Sequence, residues 1–189
     1  QETSDGPVGV AAGIAVSVSD IIAEAAVLED VTTGGLLSVH SSAHGDAIVI
    51  ADGSAVTIPK KSDSGGSGGS GGDSGDSDES SGVGVGVAVA VNVASVINHA
   101  YIAPTAAVTA NGLTVTADMA ARPGESGATH AFRTEATSGA GAGNVGIAGS
   151  VSVALIDTTT IGEVQSGATV LMTGGALNVN AASTTDITT

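Results

Sequence analysis

Apolar residues alternate with small residues over long parts of this chain. From Gly82 the sequence runs GVGVGVAVAVNVASV, with Val at almost every second position and Gly or Ala between. This period of two is that of a β-strand, and Val and Ile lose side-chain freedom in a helix. A second alternating run, LTVTAD, begins at Leu113 after the turn-forming pair Asn111-Gly112. The pattern predicts extended β-structure, and only Ile21–Leu28, with its Ala and Glu residues, admits a short helix as an alternative.

Three versions of this stretch occur along the chain. Two sets of motifs correspond: VSVSDI from Val16, VNVASV from Val91 and VSVALI from Val151, and GLLSVHS from Gly35, GLTVTAD from Gly112 and GALNVNA from Gly175. The first set is spaced by 75 and then by 60 residues, and the larger spacing contains a Gly/Ser-rich insertion. A period of this length holds several strands, so each repeat contributes several strands to a stacked array.

The repeats divide the chain into four segments. They are a first β repeat unit with a polar lead-in (1–59), a flexible acidic Gly/Ser linker (60–81), a second β repeat unit (82–138) and a third β repeat unit (139–189). The linker has no apolar residue with which to offset the entropy of ordering. Within the first unit, the Asp52-Gly53 pair predicts a hairpin between two strands of residues 46–59.

Repeats of this kind cannot bury their apolar faces alone, so each covers its neighbour and the array has two open ends. A strand at an open end presents unpaired backbone N–H and C=O groups. We therefore expect an all-β fold, a repetitive β-solenoid similar to a parallel β-helix, which carries the Gly/Ser/Asp-rich insertion. A β-sandwich of Gly/Val-rich strands is the alternative, because a period of two does not determine the course of the coil.

Composition narrows the classes of function. One Tyr, one Phe and no Trp leave a core of Val, Ala, Ile and Leu, which suits thin, layered β-structure. The net charge is −15, and Lys60-Lys61 is the only adjacent basic pair, which argues against nucleic-acid binding. No Cys is present, so disulfides and thiolate chemistry are excluded. The longest apolar run, Val83–Val91, is too short for a transmembrane helix, so we expect no membrane span.

Three stretches carry a resemblance to a known family: VAVAVNVAS, the following AYIAPTAAVTANGLTVTA, and the third unit from Gly149 onward. They resemble the β-strand repeats of large bacterial filamentous adhesins, the filamentous-haemagglutinin-like and leukotoxin-type surface proteins. The resemblance implies a secreted, structural stalk or adhesive fibre, extracellular or on the bacterial cell surface. Its partners would be flanking repeats or other copies of itself, through the end rungs of the array, and ligands on a cell surface or matrix. The Gly/Ser/Asp-rich insertion departs from the usual pattern of the family.

The acidic end of the linker is the best candidate for a metal site. Asp73, Asp76, Asp78 and Glu79 place several carboxylates on a flexible chain, and hard oxygen ligands of this kind suit calcium. The spacing is that of neither an EF-hand loop nor the nonapeptide calcium repeat, and a solvated acidic linker is the alternative. No cofactor other than calcium is predicted.

The four histidines are weaker candidates. His40 and His44 lie four residues apart with Asp46 nearby, which suits zinc only where the three side chains converge. His99 and His130 are interpreted as surface residues of strands.

Two glycine patterns match functional motifs without the context that those motifs require. Gly141-x-Gly143-x-x-Gly146 fits a dinucleotide fingerprint, but strand sequence follows where a helix is needed. The GGSGG sequence around Ser67 fits a nucleophile elbow, but it lies in the linker.

A carbohydrate-active β-helix enzyme acting on polysaccharide is the alternative function. The charged residues that it would use are Glu24, Glu29, Asp30, Glu125, Glu135, Arg122 and Arg133. The sequence has almost no aromatic residues for sugar stacking, and surface ion pairing is an adequate role for these charges. We therefore predict a structural or adhesive protein rather than an enzyme.

Overall fold

A computed structural model describes residues 8–56, 82–121, 128–141 and 145–189. Within these ranges the chain forms β-strands and no helix. The strands are β1 (Val8–Val27), β2 (Val31–Thr32), β3 (Leu37–Ala43), β4 (Asp46–Asp52), β5 (Ala55–Val56), β6 (Val83–Ile102), β7 (Ala107–Ala110), β8 (Leu113–Met119), β9 (His130–Thr137), β10 (Ala140–Gly141), β11 (Val145–Val164), β12 (Thr169–Met172), β13 (Leu177–Ala181) and β14 (Thr185–Thr188). Residues 21–27 belong to β1, so the helical alternative for this segment is wrong.

The strands form three successive coils of chain, which we call rungs. Rung 1 contains β1–β5, rung 2 contains β6–β10 and rung 3 contains β11–β14. Corresponding strands lie side by side in the orders β1-β6-β11, β2-β7-β12, β3-β8-β13 and β4-β9-β14, and β5 pairs with β10. The pairs β2–β7, β7–β12, β3–β8, β8–β13, β9–β14 and β5–β10 are parallel. Parallel pairing between consecutive coils is that of a β-solenoid and not of the alternative β-sandwich.

Side chains of one type stack from rung to rung in the short strands. The register partners are Leu37, Leu113 and Leu177, followed by Val39, Val115 and Val179. The motif alignment in the sequence pairs Leu36 with Leu113, so it is wrong by one residue here. A shift of one residue moves every side chain to the opposite face of the strand. Gly112, with a φ of 130°, occupies the turn before β8 that the Asn-Gly pair predicts.

The long strands β6 and β11 keep one register from end to end. Two backbone hydrogen bonds fix it: Val145 N–H to the carbonyl of Gly82 (3.3 Å) and Gln165 N–H to the carbonyl of Ile102 (3.0 Å). This register places Val153 beside Val91, whereas the motif alignment places Val151 there. The difference of two residues keeps each side chain on its face. It arises because a Val-rich run of period two matches itself at every second residue.

The predicted hairpin at Asp52-Gly53 is wrong. The flanking strands β4 and β5 pair with β9 and β10 of rung 2 and not with each other. The side chain of Asp52 accepts a hydrogen bond from the N–H of Ser54 (2.9 Å), and the N–H of Gly53 donates to the carbonyl of Thr137 (2.9 Å). The Asp-Gly pair therefore marks a bend within one coil, because the backbone groups around it bond to the next rung.

The chain passes from one rung to the next between a short strand and a long one. Residues 57–82 connect β5 to β6, and residues 142–144 connect β10 to β11. The two connections differ greatly in length, yet the three long strands they join are neighbours in one sheet.

The strands are shared between two compact units. Unit 1 comprises residues 1–16, 49–91 and 134–153, and unit 2 comprises residues 17–48, 92–133 and 154–189. The core of unit 1 is built from small side chains: Val49, Ala51, Ala88 and Ala90, with Ala15 and Ala136 packed against them. A Cβ atom added at Gly86 would lie 2.2 Å from the carbonyl oxygen of Gly139. In unit 1, therefore, strands approach each other backbone to backbone.

Unit 2 has larger side chains in its core. One cluster contains Ile102, Val108, Leu113 and Val115, all fully buried. A second cluster contains Ala43, Ala94, Val96 and Phe132, with Ile21 and Ile156 packed against it. Side chains rather than backbone fill the space between the strands of this unit.

Candidate functional site

Rung 3 ends in a row of edge strands. Among the described residues, β12, β13 and β14 are each the last strand of their sheet, with a rung 2 strand on one side. All three belong to unit 2. We call these three strands the open edge. Edge strands of this kind direct backbone N–H and C=O groups away from the sheet, where a further strand can pair with them.

Large inward-facing side chains of β13 and β14 in the open edge are half exposed, whereas Val170 and Met172 of β12 are partly buried. Leu177 is 48% exposed, whereas its rung 2 partner Leu113 is 0% exposed. Ile187 is 49% exposed, whereas its partner Phe132 is 2% exposed, and Val179 resembles Leu177. Rung 2 is covered on both sides and rung 3 on one, so these side chains are the ones that a further rung would bury.

The backbone of β13 shows which groups the open edge offers. The N–H of Leu113 donates to the carbonyl of Ala176 (3.0 Å), and the N–H of Ala182 donates to the carbonyl of Ala117 (2.9 Å). Even-numbered residues of this segment therefore direct their backbone groups towards β8. Backbone groups of alternate residues in a parallel sheet point to opposite sides. The N–H and C=O groups of Val179 consequently point away from rung 2.

His44 and Asp46 form a hydrogen-bonded pair at the start of β4. Nε2 of His44 lies 2.9 Å from Oδ2 of Asp46, and Nδ1 lies 2.8 Å from the carbonyl oxygen of Ala120. Oδ1 of Asp46 accepts the N–H of Ala131 at 2.7 Å. Both ring nitrogens and both carboxylate oxygens have partners within the fold, so the pair fixes the path of the chain between β3 and β4.

The zinc hypothesis for His40, His44 and Asp46 requires convergence, which this arrangement does not provide. His40 Nε2 instead lies 2.9 Å from Oδ1 of Asp118, on the outward side of β3 and β8. In the part of the chain that the structure describes, no group of three or more His, Cys, Asp or Glu side chains is placed to hold a metal ion.

His130 is buried, so its interpretation as a surface residue is wrong. It is 1% exposed, and its Nδ1 accepts the N–H of Gly45 at 2.9 Å. Burial lowers the pKa of His130 below its ordinary value, and the neighbouring His44 lowers this pKa further. The sequence holds a signal for this position, because His130 shares its strand face with Phe132, the one Phe of the chain.

Hydrogen-bonded pairs of polar side chains lie on the outward side of the long strands in unit 2. The hydroxyl of Tyr101 donates to Glu24 (2.9 Å), which raises the pKa of Tyr101. His99 Nε2 lies 3.0 Å from Glu163, and the rings of His99 and Tyr101 stack with centroids 4.4 Å apart. Hydrogen bonds from Gln165 and then His99 lower the pKa of Glu163. The interpretation of His99 as a surface residue of a strand fits this arrangement.

Arg133 lies in a groove of about 500 Å³ on the β4-β9-β14 sheet. The groove is also lined by two carboxylates, Asp46 and Asp186, and by the exposed Ile48. Both carboxylate oxygens of Asp46 already have hydrogen-bond partners, His44 Nε2 and the N–H of Ala131. A general acid or base must be able to reach a substrate proton, so this geometry favours a structural role for Asp46 over a catalytic one.

The remaining residues of the carbohydrate hypothesis are distributed along the rungs. The carboxylate of Asp30 accepts the N–H of Ala107 (2.8 Å) and thereby joins rung 1 to rung 2. Glu29 is exposed beside it, and Glu135 lies in β9. Arg122 and Glu125 lie outside the described residues.

The four residues of the predicted calcium site also lie outside the described residues: Asp73, Asp76, Asp78 and Glu79. Ser67, of the nucleophile-elbow pattern, lies outside them as well. The dinucleotide pattern is partly described. Gly146 belongs to β11, so a strand follows the glycines, as the sequence predicts. A pyrophosphate site of that class needs a helix N-terminus at this point.

The chain matches no protein-family model, no curated protein and no solved structure. The resemblance to filamentous adhesins therefore stays a prediction. Across the described ranges, the chain contains no helix with the length and apolar character needed to cross a membrane. The strand pairing described above makes the chain an all-β solenoid of parallel strands, with an open edge at rung 3.

Proposed function

We propose that this chain is a non-catalytic structural module of an exported bacterial surface or extracellular fibre protein. Its stacked rungs build a stiff rod or a self-assembling filament, which carries adhesive contacts to a cell surface or matrix. The resemblance of its strand repeats to filamentous adhesins supports the location. The open edge supports the mode of assembly.

One observation carries the proposal: equivalent side chains are buried in rung 2 and half exposed in rung 3. Fully burying a Leu, Val or Ile side chain contributes about 1.5–3 kcal/mol, so a further rung gains roughly half of that at Leu177, Val179 and Ile187. The added rung also pairs with the backbone groups of Val179. Both gains are obtained only by strands in register, so growth proceeds along the direction of stacking.

The hydrogen bonding of the polar side chains agrees with a structural role. Asp30, Asp46 and His44 bond to backbone or to each other within the fold. Three of these bonds link rung 1 to rung 2, and the fourth, between His44 and Asp46, lies within rung 1. Catalytic groups, by contrast, need at least one polar atom directed at a substrate.

Electron microscopy with negative staining, combined with sedimentation, tests the proposal on the purified chain over a range of concentrations. Val179→Lys places a charge on the inward side of the open edge. Asn180→Lys adds the same charge to the same strand, on the outward side, and is the matched control. We expect filaments or growing oligomers for the wild type and the control, and at least about tenfold weaker assembly for Val179→Lys.

Discrete particles of one size for the wild type at every concentration would overturn self-assembly through the open edge. Equal assembly by Val179→Lys and Asn180→Lys would locate the contact elsewhere. Circular dichroism of both variants verifies that each retains the β-structure of the wild type.

A further inference from the structure

The outward side of the long sheet in unit 1 is apolar over its whole extent. Its positions alternate with the inward residues of the same strands, which are Gly and Ala in β1 and β6 and Gly, Ala and Ser in β11. They are Val8, Val10, Ala12, Ile14 and Val16 of β1, Val83, Val85, Val87, Val89 and Val91 of β6, and Val145, Ile147, Gly149, Val151 and Val153 of β11. We call these residues the apolar face. The most exposed are Ile14 (78%), Val16 (63%) and Val10 (61%).

Folding alone does not require an apolar residue at these positions. Thr has a β-branched side chain and a β propensity similar to that of Val, and it is suited to a solvated face. The outward positions of β8 follow this rule with Thr114 and Thr116, and those of β3 follow it with Ser38 and His40. The apolar face carries Val and Ile instead, which gain free energy only when they leave water.

The area of the apolar face is large enough for a contact surface. Five positions at two residues each, on three strands about 4.8 Å apart, cover roughly 33 Å by 14 Å, or about 470 Å² in projection. Contiguous apolar patches of this size on soluble proteins commonly mark interaction sites. Two such faces packed together bury about 950 Å², more than the roughly 800 Å² of most crystal-packing contacts and just under the roughly 1,000 Å² minimum of a stable interface, so the contact is a weak one.

A second copy of the same chain fits this surface. The chain carries a net charge of −15, so most of its surface repels another copy, but the apolar face has no charged residue. Sheets pack face to face at about 10 Å, with side chains of the two faces interdigitating. Gly149, where an added Cβ atom would meet nothing within 4 Å, leaves room in the row beside the protruding Ile14.

We propose that the apolar face of unit 1 joins two copies of the chain face to face. This contact is separate from the open edge: it pairs rods sideways, whereas the open edge extends them. It rests on burial of side chains and makes no use of unpaired backbone groups.

The association state of the full chain in sedimentation velocity and light scattering tests this proposal. Ile14→Lys introduces a charge into the apolar face, at a side chain so exposed that the fold does not depend on it. Ser38→Lys, on the polar outward side of β3, is the matched control. To separate the two contacts, all three chains also carry Val179→Lys, which blocks the open edge.

We expect a dimer for the edge-blocked chain and for its Ser38→Lys form, and at least about tenfold weaker dimerisation for its Ile14→Lys form. Val10→Thr with Val16→Thr, which keeps the β-branched shape, should weaken the dimer in the same direction. A monomer at all concentrations for the edge-blocked chain, or an Ile14→Lys dimer of unchanged strength, would overturn the proposal. Binding of that monomer to phosphatidylcholine vesicles would assign the face to a lipid surface instead. The open-edge proposal fails separately, when Val179→Lys leaves filament growth unchanged.

Discussion

The long sheet in unit 1 and the β3-β8-β13 sheet in unit 2 use the two sides of their strands in opposite ways. In unit 2, large apolar residues such as Leu113 and Phe132 point inward, and Ser, Thr, His and Asn residues point outward from the β3-β8-β13 sheet. In unit 1, Gly, Ala and Ser of the long strands point inward, and Val and Ile point outward. The β3-β8-β13 sheet therefore has the arrangement usual at a solvated surface, and the long sheet of unit 1 inverts it. The long strands of unit 2 are intermediate, because Val18, Ile22 and Leu155 are exposed there.

The inversion separates two sources of stability. The core of unit 2 gains free energy by burying large side chains, in proportion to apolar area. The inward side of unit 1 has little side-chain area to bury, and it depends on close backbone approach and on ladder hydrogen bonds. Its large side chains remain available for a partner. An inward Gly is consequently more important in unit 1 than an outward Val.

The largest effect is expected for Gly86→Val in unit 1. The new Cβ would lie 2.2 Å from the carbonyl oxygen of Gly139 and 2.6 Å from that of Gly53. Both glycines lie in bends held by hydrogen bonds between rungs: the carbonyl of Gly139 accepts the N–H of Ala55 (2.7 Å), and the N–H of Gly53 donates to the carbonyl of Thr137 (2.9 Å). We expect destabilisation of more than about 4 kcal/mol, measured by urea unfolding followed by circular dichroism. Gly149→Ala, on the outward side with open space around it, should change stability by less than about 0.5 kcal/mol. A folded Gly86→Val protein of wild-type stability would contradict the backbone-to-backbone packing of unit 1.

A smaller effect is expected for Leu113→Ala in unit 2. Leu113 is fully buried in rung 2, so the truncation removes apolar burial and leaves a cavity, at a cost of about 2–5 kcal/mol. Leu177→Ala, at the register partner on the open edge, should cost about 1 kcal/mol, because that side chain is already half exposed. Urea unfolding of the two variants under conditions that keep the chain monomeric measures the difference. Equal losses would mean that rung 3 is already covered.

The smallest effect is the pH dependence contributed by His130 in unit 2. Burial holds its pKa in the folded chain below the ordinary value of 6.5. The unfolded chain therefore binds the proton first, and stability is full above about pH 6.5 and falls as the pH drops below it, by at most about 1.36 kcal/mol per pH unit for one proton.

His130→Asn tests this dependence, because its amide oxygen can still accept the N–H of Gly45 while no longer titrating. The variant should be less stable at neutral pH but should lose stability less steeply between about pH 7 and pH 5. An unchanged slope for His130→Asn would contradict the assignment to His130.

The sequence predicts the fold class because two signals agree. The period of two in β6 requires strands, and the repetition of VSVSDI, VNVASV and VSVALI requires that the strands stack. The same regularity limits the prediction of register, because Val residues two positions apart are equivalent along β6 and β11. Asp52-Gly53 misleads for a different reason: a bend between strands of one coil and a hairpin use the same residues.

The candidate surfaces are harder to predict from the sequence than the fold is. Alternating Gly/Ala and Val does not show which set faces inward, and hydrophobicity favours the wrong one in unit 1. Close approach of Gly53, Gly86 and Gly139 decides the matter, and it depends on two coils together, because Gly53 belongs to rung 1 and the other two glycines belong to rung 2. His130 is misassigned because a His in a strand carries no preference for either face, and only its parity with Phe132 indicates burial.

The two connections between rungs show that length is tolerated at one point of the coil. Residues 57–82 and residues 142–144 perform the same step, and the loop-closure cost grows only slowly with length. Sequence inserted there leaves every strand paired with the same neighbours, so the module can carry an added segment without any change in the hydrogen bonding between its strands. This position is the natural place to fuse a tag, an epitope or a small domain. A chain built in this way can vary its cargo while its architecture stays constant.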